Sequence, residues 1–230
     1  MTRNEFWTAV EKTLQSYDLL THPFYQAWTA GRLTRSEIGF YGRQYLYHVA
    51  AFPTYLTALH CRLEEGGLRR AILVTAADEE VKDRPHAALW RQFANGLEPR
   101  PVSAQQEEPL PEVRQLVETY RNLARYGMPS AALGAFYAYE SQMPQISEEK
   151  LRGLRSFYAA DERSCEYFAL HRTADLEHTD VWRVLLDHSV TDSTEDADGA
   201  FDGVCLGAKA LWHALDGIDH ARHHLGQSIL

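Results

Sequence analysis

The chain has 230 residues, 45% of them hydrophobic and 11% aromatic, with a formal net charge of -9. That length and apolar content bury a core without staples and exclude a disordered chain. The acidic balance argues against sequence-independent binding to nucleic acid or to an anionic membrane surface. Three cysteines without CxxC spacing point to a reducing compartment. The polar N-terminus, Met1-Thr2-Arg3-Asn4-Glu5, does not read as a signal peptide, and no apolar run reaches the roughly 18 residues of a membrane span. One domain spanning residues 1–230 and a cytoplasmic location are expected.

Helical periodicity dominates, and no convincing strand alternation is found. Asn4 is placed to cap a first helix carrying Phe6, Val10 and Leu14. Pro23 suits the first turn of a short helix that Gly31 ends. Thr34-Arg35-Ser36-Glu37 is a capping-box signature opening a tyrosine-rich helix to about Glu64, kinked at Pro53. A helix over about Leu68–Asn95 follows, interrupted by Pro85. Gly96 to Pro111 reads as a proline-rich connector. Glu112 to Tyr126 is helical. Ser130 to Met143 is apolar nearly all round, which predicts a buried central helix ended by Pro144. Ser147 is placed to cap the next helix. A long helix runs from about Asp161 to His188, Thr191 to Gly199 reads as an acidic loop, and a last helix spans roughly Ala200 to Leu225. The fold class is all-α, with about seven main helices in a bundle.

The chemistry lies first in the long helix. His171, Asp175 and His178, at i, i+4 and i+7, fall within a wedge of roughly 60°. Two imidazoles and a carboxylate on one face make half of a first-row metal site. Glu79 and His86, two turns apart, share a face. Glu140 stands alone in the most apolar helix, where a carboxylate is costly unless paired or bound to a metal. These six residues offer three carboxylates and three imidazoles from separate helices. That set is too large for one tetrahedral zinc but suits two ions sharing a bridging carboxylate. Two divalent ions bring +4 against -3, near balance with a bound hydroxide. Sites of this kind with open positions activate O2 in iron and manganese proteins. The plainer alternatives are surface histidines, an acidic patch at Asp78-Glu79-Glu80, and a Glu140 paired with an arginine. His213, Asp216 and His220, with His223 and His224 beyond, read as a solvated face. The acidic loop fails the calcium template, which would put Thr194 first and Cys205 at the bidentate glutamate.

The pattern Glu79-x6-His86, Glu140 and His171-x3-Asp175-x2-His178 resembles the heme-oxygenase-like diiron oxidases. Their seven-helix bundle is shared with thiaminase-II-type and pyrroloquinoline-quinone-synthase-type proteins. The sequence is most similar to the branch of chlamydial death-domain-associating proteins and their bacterial relatives, implicated in making para-aminobenzoate for folate. His22-Pro23-Phe24-Tyr25, Gln44-Tyr45 with Phe52-Pro53, and Tyr139-Glu140 also match. The resemblance implies two iron ions, or one iron and one manganese, with O2 as co-substrate and an external electron donor. It implies a protein that is its own substrate, with Tyr25 as the sacrificed ring, Tyr139 carrying radical character and Lys150 as amino donor. By themselves Tyr25 and Tyr139 read as core aromatics and Lys150 as a surface lysine. Placed in a helix's first turn, Lys150 would meet the positive end of the dipole, which favours the free amine. Competing expectations are an oxidase acting on an external small molecule, a metal-free thiamine- or quinone-pathway enzyme of the same bundle, and an interaction protein binding partner helices. A homodimer is compatible with a helical bundle.

Overall fold

The computed structural model describes residues 1–81, 84–97 and 107–225. Among these the chain is helical, in ten segments with no strand: α1 (Arg3–Ser16), α2 (Pro23–Thr29), α3 (Arg35–His60), α4 (Gly67–Glu80), α5 (His86–Leu97), α6 (Pro111–Tyr126), α7 (Pro129–Glu140), α8 (Met143–Ser156), α9 (Glu162–Asp192) and α10 (Thr194–Leu225). A 3-10 turn, Leu19–Thr21, precedes α2. No described helix is long and apolar enough to cross a membrane.

Capping chemistry sets several boundaries. Thr2, not Asn4, caps α1, in a capping box with Glu5. Thr34 and Glu37 form the second box, as the sequence predicts, and α3 continues through Pro53 to His60. His22 caps α2: its Nδ1 accepts from the Phe24 N–H at 3.1 Å and its Nε2 faces Asp216 Oδ1 at 3.1 Å. An imidazole can replace the usual serine or aspartate there because one nitrogen accepts while the other donates.

The count of seven rises to ten because breakers act more sharply than periodicity suggests. The single helix over Leu68–Asn95 is two helices, α4 and α5, with Pro85 immediately before His86. Helix α5 continues through Gly96 to Leu97, so the connector starts later; Pro99 and Pro101 lie outside the described residues. Helix α7 ends at Glu140, and Pro144 opens α8 rather than closing α7. The acidic stretch at 191–199 is helical, with Ser193 alone outside helix between α9 and α10. Buried Ala197 and Ala200 explain this: the segment has an inward face that polarity alone hid.

Helix α7 is buried from Ser130 to Glu140. It lies against α10 at backbone distance. A Cβ on Gly203 would stand 1.9 Å from the Ala131 carbonyl oxygen, and one on Gly134 2.1 Å from that of Ala200. This close approach sinks Glu140 into the molecule, with Trp182 of α9 against it. Helix α9 spans the bundle and presents one face to α5, α7 and α8. The core is strongly aromatic: Trp28, Trp90, Trp182 and Tyr25, Tyr41, Tyr45, Tyr55 and Tyr120 are all buried.

Candidate metal centre and lysine–tyrosine cluster

Four helices bring six groups together. Glu79 ends α4, His86 opens α5, Glu140 ends α7, and His171, Asp175 and His178 line one face of α9. All six are buried. They form two triads, Glu79–His86–His171 and Glu79–Glu140–His178, with donor atoms within 4.8 Å of one another in each, and Glu79 common to both. Asp175 completes the cluster: its Oδ1 lies 3.8 Å from His178 Nδ1 and its Oδ2 has no hydrogen-bond partner.

The imidazoles are oriented from behind. His171 Nδ1 lies 2.7 Å from the Tyr167 carbonyl, which requires a proton on Nδ1 and leaves the Nε2 lone pair facing inward. That Nε2 is 3.1 Å from His86 Nδ1, which in turn is 2.9 Å from Glu79 Oε2. His178 Nε2 faces Asp78 at 3.4 Å, so its Nδ1 is the atom directed at Glu140, 3.5 Å away. Trp182 Nε1 donates to the second oxygen of Glu140.

The electrostatics are those of a crowded acid–base cluster. Burial raises Glu140, and it raises Asp175 well above the usual range, helped by the charges of Glu140 and Glu79. Burial also pushes Glu79 up, but the hydrogen bond and charge of His86 outweigh it and hold Glu79 below the usual value. Burial, with His86 beside it, lowers His171 to about 3. Burial acts the same way on His178, but Glu140 and Asp175 overcome it and raise that imidazole to about 10. Orphaned Asp175 Oδ2 and His178 Nδ1, an inward lone pair on His171 and three carboxylates in one place fit metal binding. A cavity of about 10 Å³ adjoins the cluster, lined by Val49, Phe52, Tyr139, Tyr167 and ligand candidates. That is about the space of a single water.

Tyr25 and Lys150 are not on that cavity. They form a second cluster with Tyr41. Lys150 Nζ donates to Tyr41 Oη at 2.5 Å, and Tyr41 Oη is 3.0 Å from Tyr25 Oη. Nζ lies 4.4 Å from the centre of the Tyr25 ring and 4.6 Å from that of Tyr41, with Trp28, Tyr45, Trp90 and Phe168 within 5.9 Å. The helix-dipole expectation is corrected here. Ser147 lies inside α8, and Lys150 sits two turns beyond its start, fully enclosed. Burial without a carboxylate partner is what lowers Lys150 well below its ordinary value. Each desolvated ring face attracts a cation by about 2 kcal/mol, against a cost on the order of tens of kcal/mol for burying an unpaired ammonium.

Tyr139 is on the cavity wall, one residue before Glu140. Its ring packs on His48 and Phe52. Four further residues matter that spacing did not single out: Tyr41, Tyr167, Trp90 and Trp182. Two carried a signal in hindsight. Tyr167 and Trp182 stand four residues either side of His171 and His178, on the same helix face. The histidines at 213, 220, 223 and 224 are exposed, as expected of a solvated face. Asp216 is the exception in use, through its bond to His22.

The architecture is that of the heme-oxygenase-like bundles. A solved Shewanella denitrificans domain titled as having a heme oxygenase-like fold superposes with a TM-score of 0.82 over 98% of this chain and 95% of its own, at 16% identity. The family described as iron-containing redox enzymes matches residues 40–212, and this chain belongs to it. A Nitrosomonas europaea protein named 4-aminobenzoate synthase is 38% identical over 95% of this chain and 92% of its own length. A Chlamydia pneumoniae protein of the same name is 34% identical over 90% and 91%.

Proposed function

We propose that this protein is a dinuclear-metal, O2-dependent 4-aminobenzoate synthase that draws the aromatic ring from Tyr25 and the nitrogen from Lys150. The observation that carries this reading is the position of Nζ at the hydroxyl end of a buried tyrosine, linked to it through Tyr41. In 4-aminobenzoate, nitrogen occupies the carbon that bears oxygen in tyrosine, and Cβ becomes the carboxyl carbon. The amine, 4.4 Å from the centre of that ring and linked to its hydroxyl through Tyr41, is near the end of the ring where the nitrogen would have to arrive.

Glu79, His86, Glu140, His171, Asp175 and His178 would hold the metals, two iron ions or one iron and one manganese, with Glu79 shared. Such a pair supplies activation of O2 by electrons from an external reductant. The chain's own residues do the rest. The Tyr167 carbonyl and Asp78 fix the imidazole tautomers. Trp182 and the apolar face of α7 exclude water around Glu140. Tyr41 aligns Lys150 with Tyr25, and burial keeps the amine free of a proton, as nucleophilic attack requires. Loss of the ring with Cβ leaves a glycyl residue at position 25, so each chain reacts about once.

The small cavity at the ligand cluster favours this reading over oxidation of an external aromatic molecule, which would need more room there. The test is anaerobic loading with iron, with or without manganese, then exposure to O2 and a reductant. Expected is 4-aminobenzoate carrying label from ring-labelled protein tyrosine, with Tyr25 converted to glycine by mass spectrometry. Unlabelled product would refute the internal source and support an external substrate. Wild-type yield from Tyr25→Phe would do the same for the residue assignment.

A further inference from the structure

The two clusters are joined by aromatic rings. The Tyr167 ring stacks on that of His171, with centres 3.8 Å apart and planes at 21°. Trp90 meets the Tyr167 ring edge-on at 4.7 Å and also meets the ring of Tyr41, at 5.7 Å. Trp90 stands one turn beyond His86 on α5, is buried, and donates its indole N–H to the Gly42 carbonyl at 2.6 Å. Tyr139 reaches Tyr41 by a longer ring path, through His48 and Tyr45, and one of its steps runs through an imidazole rather than an oxidisable phenol or indole.

Resting on the reading above, we infer that Trp90 and Tyr167 form an electron relay that carries oxidising equivalents from the carboxylate–imidazole cluster to the Tyr41–Tyr25 pair. Tunnelling falls steeply with distance, so oxidisable rings in contact replace one long transfer with short ones. Trp90 can pass a hole without losing a proton, since its N–H stays bonded to the Gly42 carbonyl.

The balance closes on named atoms. Tyr41 gives one electron through Trp90 and Tyr167 to a dioxygen-derived one-electron oxidant at the cluster, which is thereby reduced. The Tyr41 phenolic proton moves to Lys150 Nζ, forming the ammonium. The Tyr41 phenoxyl then takes the hydrogen atom from Tyr25 Oη, 3.0 Å away. The sum is one-electron oxidation of Tyr25, transient protonation of Lys150, and Tyr41 restored; the ammonium then releases that proton to water, as its burial favours, before the amine attacks.

The test is freeze-quench EPR of iron-loaded protein after O2 addition, with ring-deuterated tyrosine to identify a tyrosyl signal, alongside mass analysis of residue 25. In Trp90→Phe with wild-type iron content and melting, the tyrosyl signal and the loss of the Tyr25 side chain are expected to fall by about tenfold or more. Trp90→Tyr, which restores an oxidisable ring, is expected to recover much of both. Wild-type signal in Trp90→Phe would overturn the relay. So would equal loss in Trp90→Phe and Trp90→Tyr, because a packing role does not distinguish an oxidisable ring from phenylalanine. If Trp90→Phe does not fold, Tyr167→Phe carries the same expectations. A wild-type tyrosyl signal that depends on Trp90 while Tyr25 stays intact would uphold the relay and sink the self-excision reading instead.

Discussion

The two buried clusters solve opposite problems. At the carboxylate–imidazole cluster, too many polar groups share too little space, and burial and neighbouring charges together shift each group. Around Lys150 a single amine is surrounded by aromatic rings with one phenol to bond to, and burial alone sets its state. The first arrangement is stable when cations fill it, the second when a proton is missing. The proposed metal site and the proposed nucleophile would thus share one core without competing, because the carboxylates that gather at the first are absent around the second.

That contrast can be broken most severely at Glu79. It belongs to both triads, so Glu79→Ala leaves neither with three donors. Iron retained through desalting is expected to collapse at both positions, a loss of more than about 100-fold in affinity. The Lys150–Tyr41 bond should survive, seen as an unchanged lysine Nζ signal by NMR. Wild-type iron content in this variant would remove Glu79 from the site.

Lys150→Met sharpens the other side. Removing an amine enclosed by rings is expected to abolish product while raising stability by about 1–3 kcal/mol, read from denaturant midpoints. The sign with pH follows from linkage. Between the lowered folded value and the ordinary lysine value of 10.5, the unfolded chain holds a proton at Lys150 that the folded chain does not. The unfolded state binds more protons, so this group makes stability rise with pH, by about 1.4 kcal/mol per unit, until pH approaches 10.5. Lys150→Met should lack that slope between neutral and mildly alkaline pH. Identical slopes would mean that the lysine is charged in the folded protein.

The smallest effect is expected at His22, which touches neither cluster but caps the helix that carries Tyr25. His22→Ala should cost about 1 kcal/mol. Amide exchange should quicken in α2 more than around the metal ligands. Uniform acceleration would show that α2 is not separately held.

The chain's legibility follows the same divide. His171, Asp175 and His178 could be read together because one helix places them at fixed angles, and Glu140 because a lone acid in an apolar run demands a partner. The capping box at Thr34 and the buried central helix were equally local. Lys150 was misplaced because proline at 144 started its helix a turn earlier than the serine signal suggested, and because its enclosure depends on rings from α2, α3, α5 and α9.

What the sequence determined by itself was therefore the periodic and the costly: the helices, the ligand face of α9, the isolated acid. What only the tertiary structure decided was contact between residues far apart in the chain. Tyr41 meets Lys150 across 109 positions, and Trp90 bridges Tyr167 and Tyr41. Helical geometry repeats every few residues and can be counted along a chain, whereas the packing of one ring on another depends on how whole helices cross.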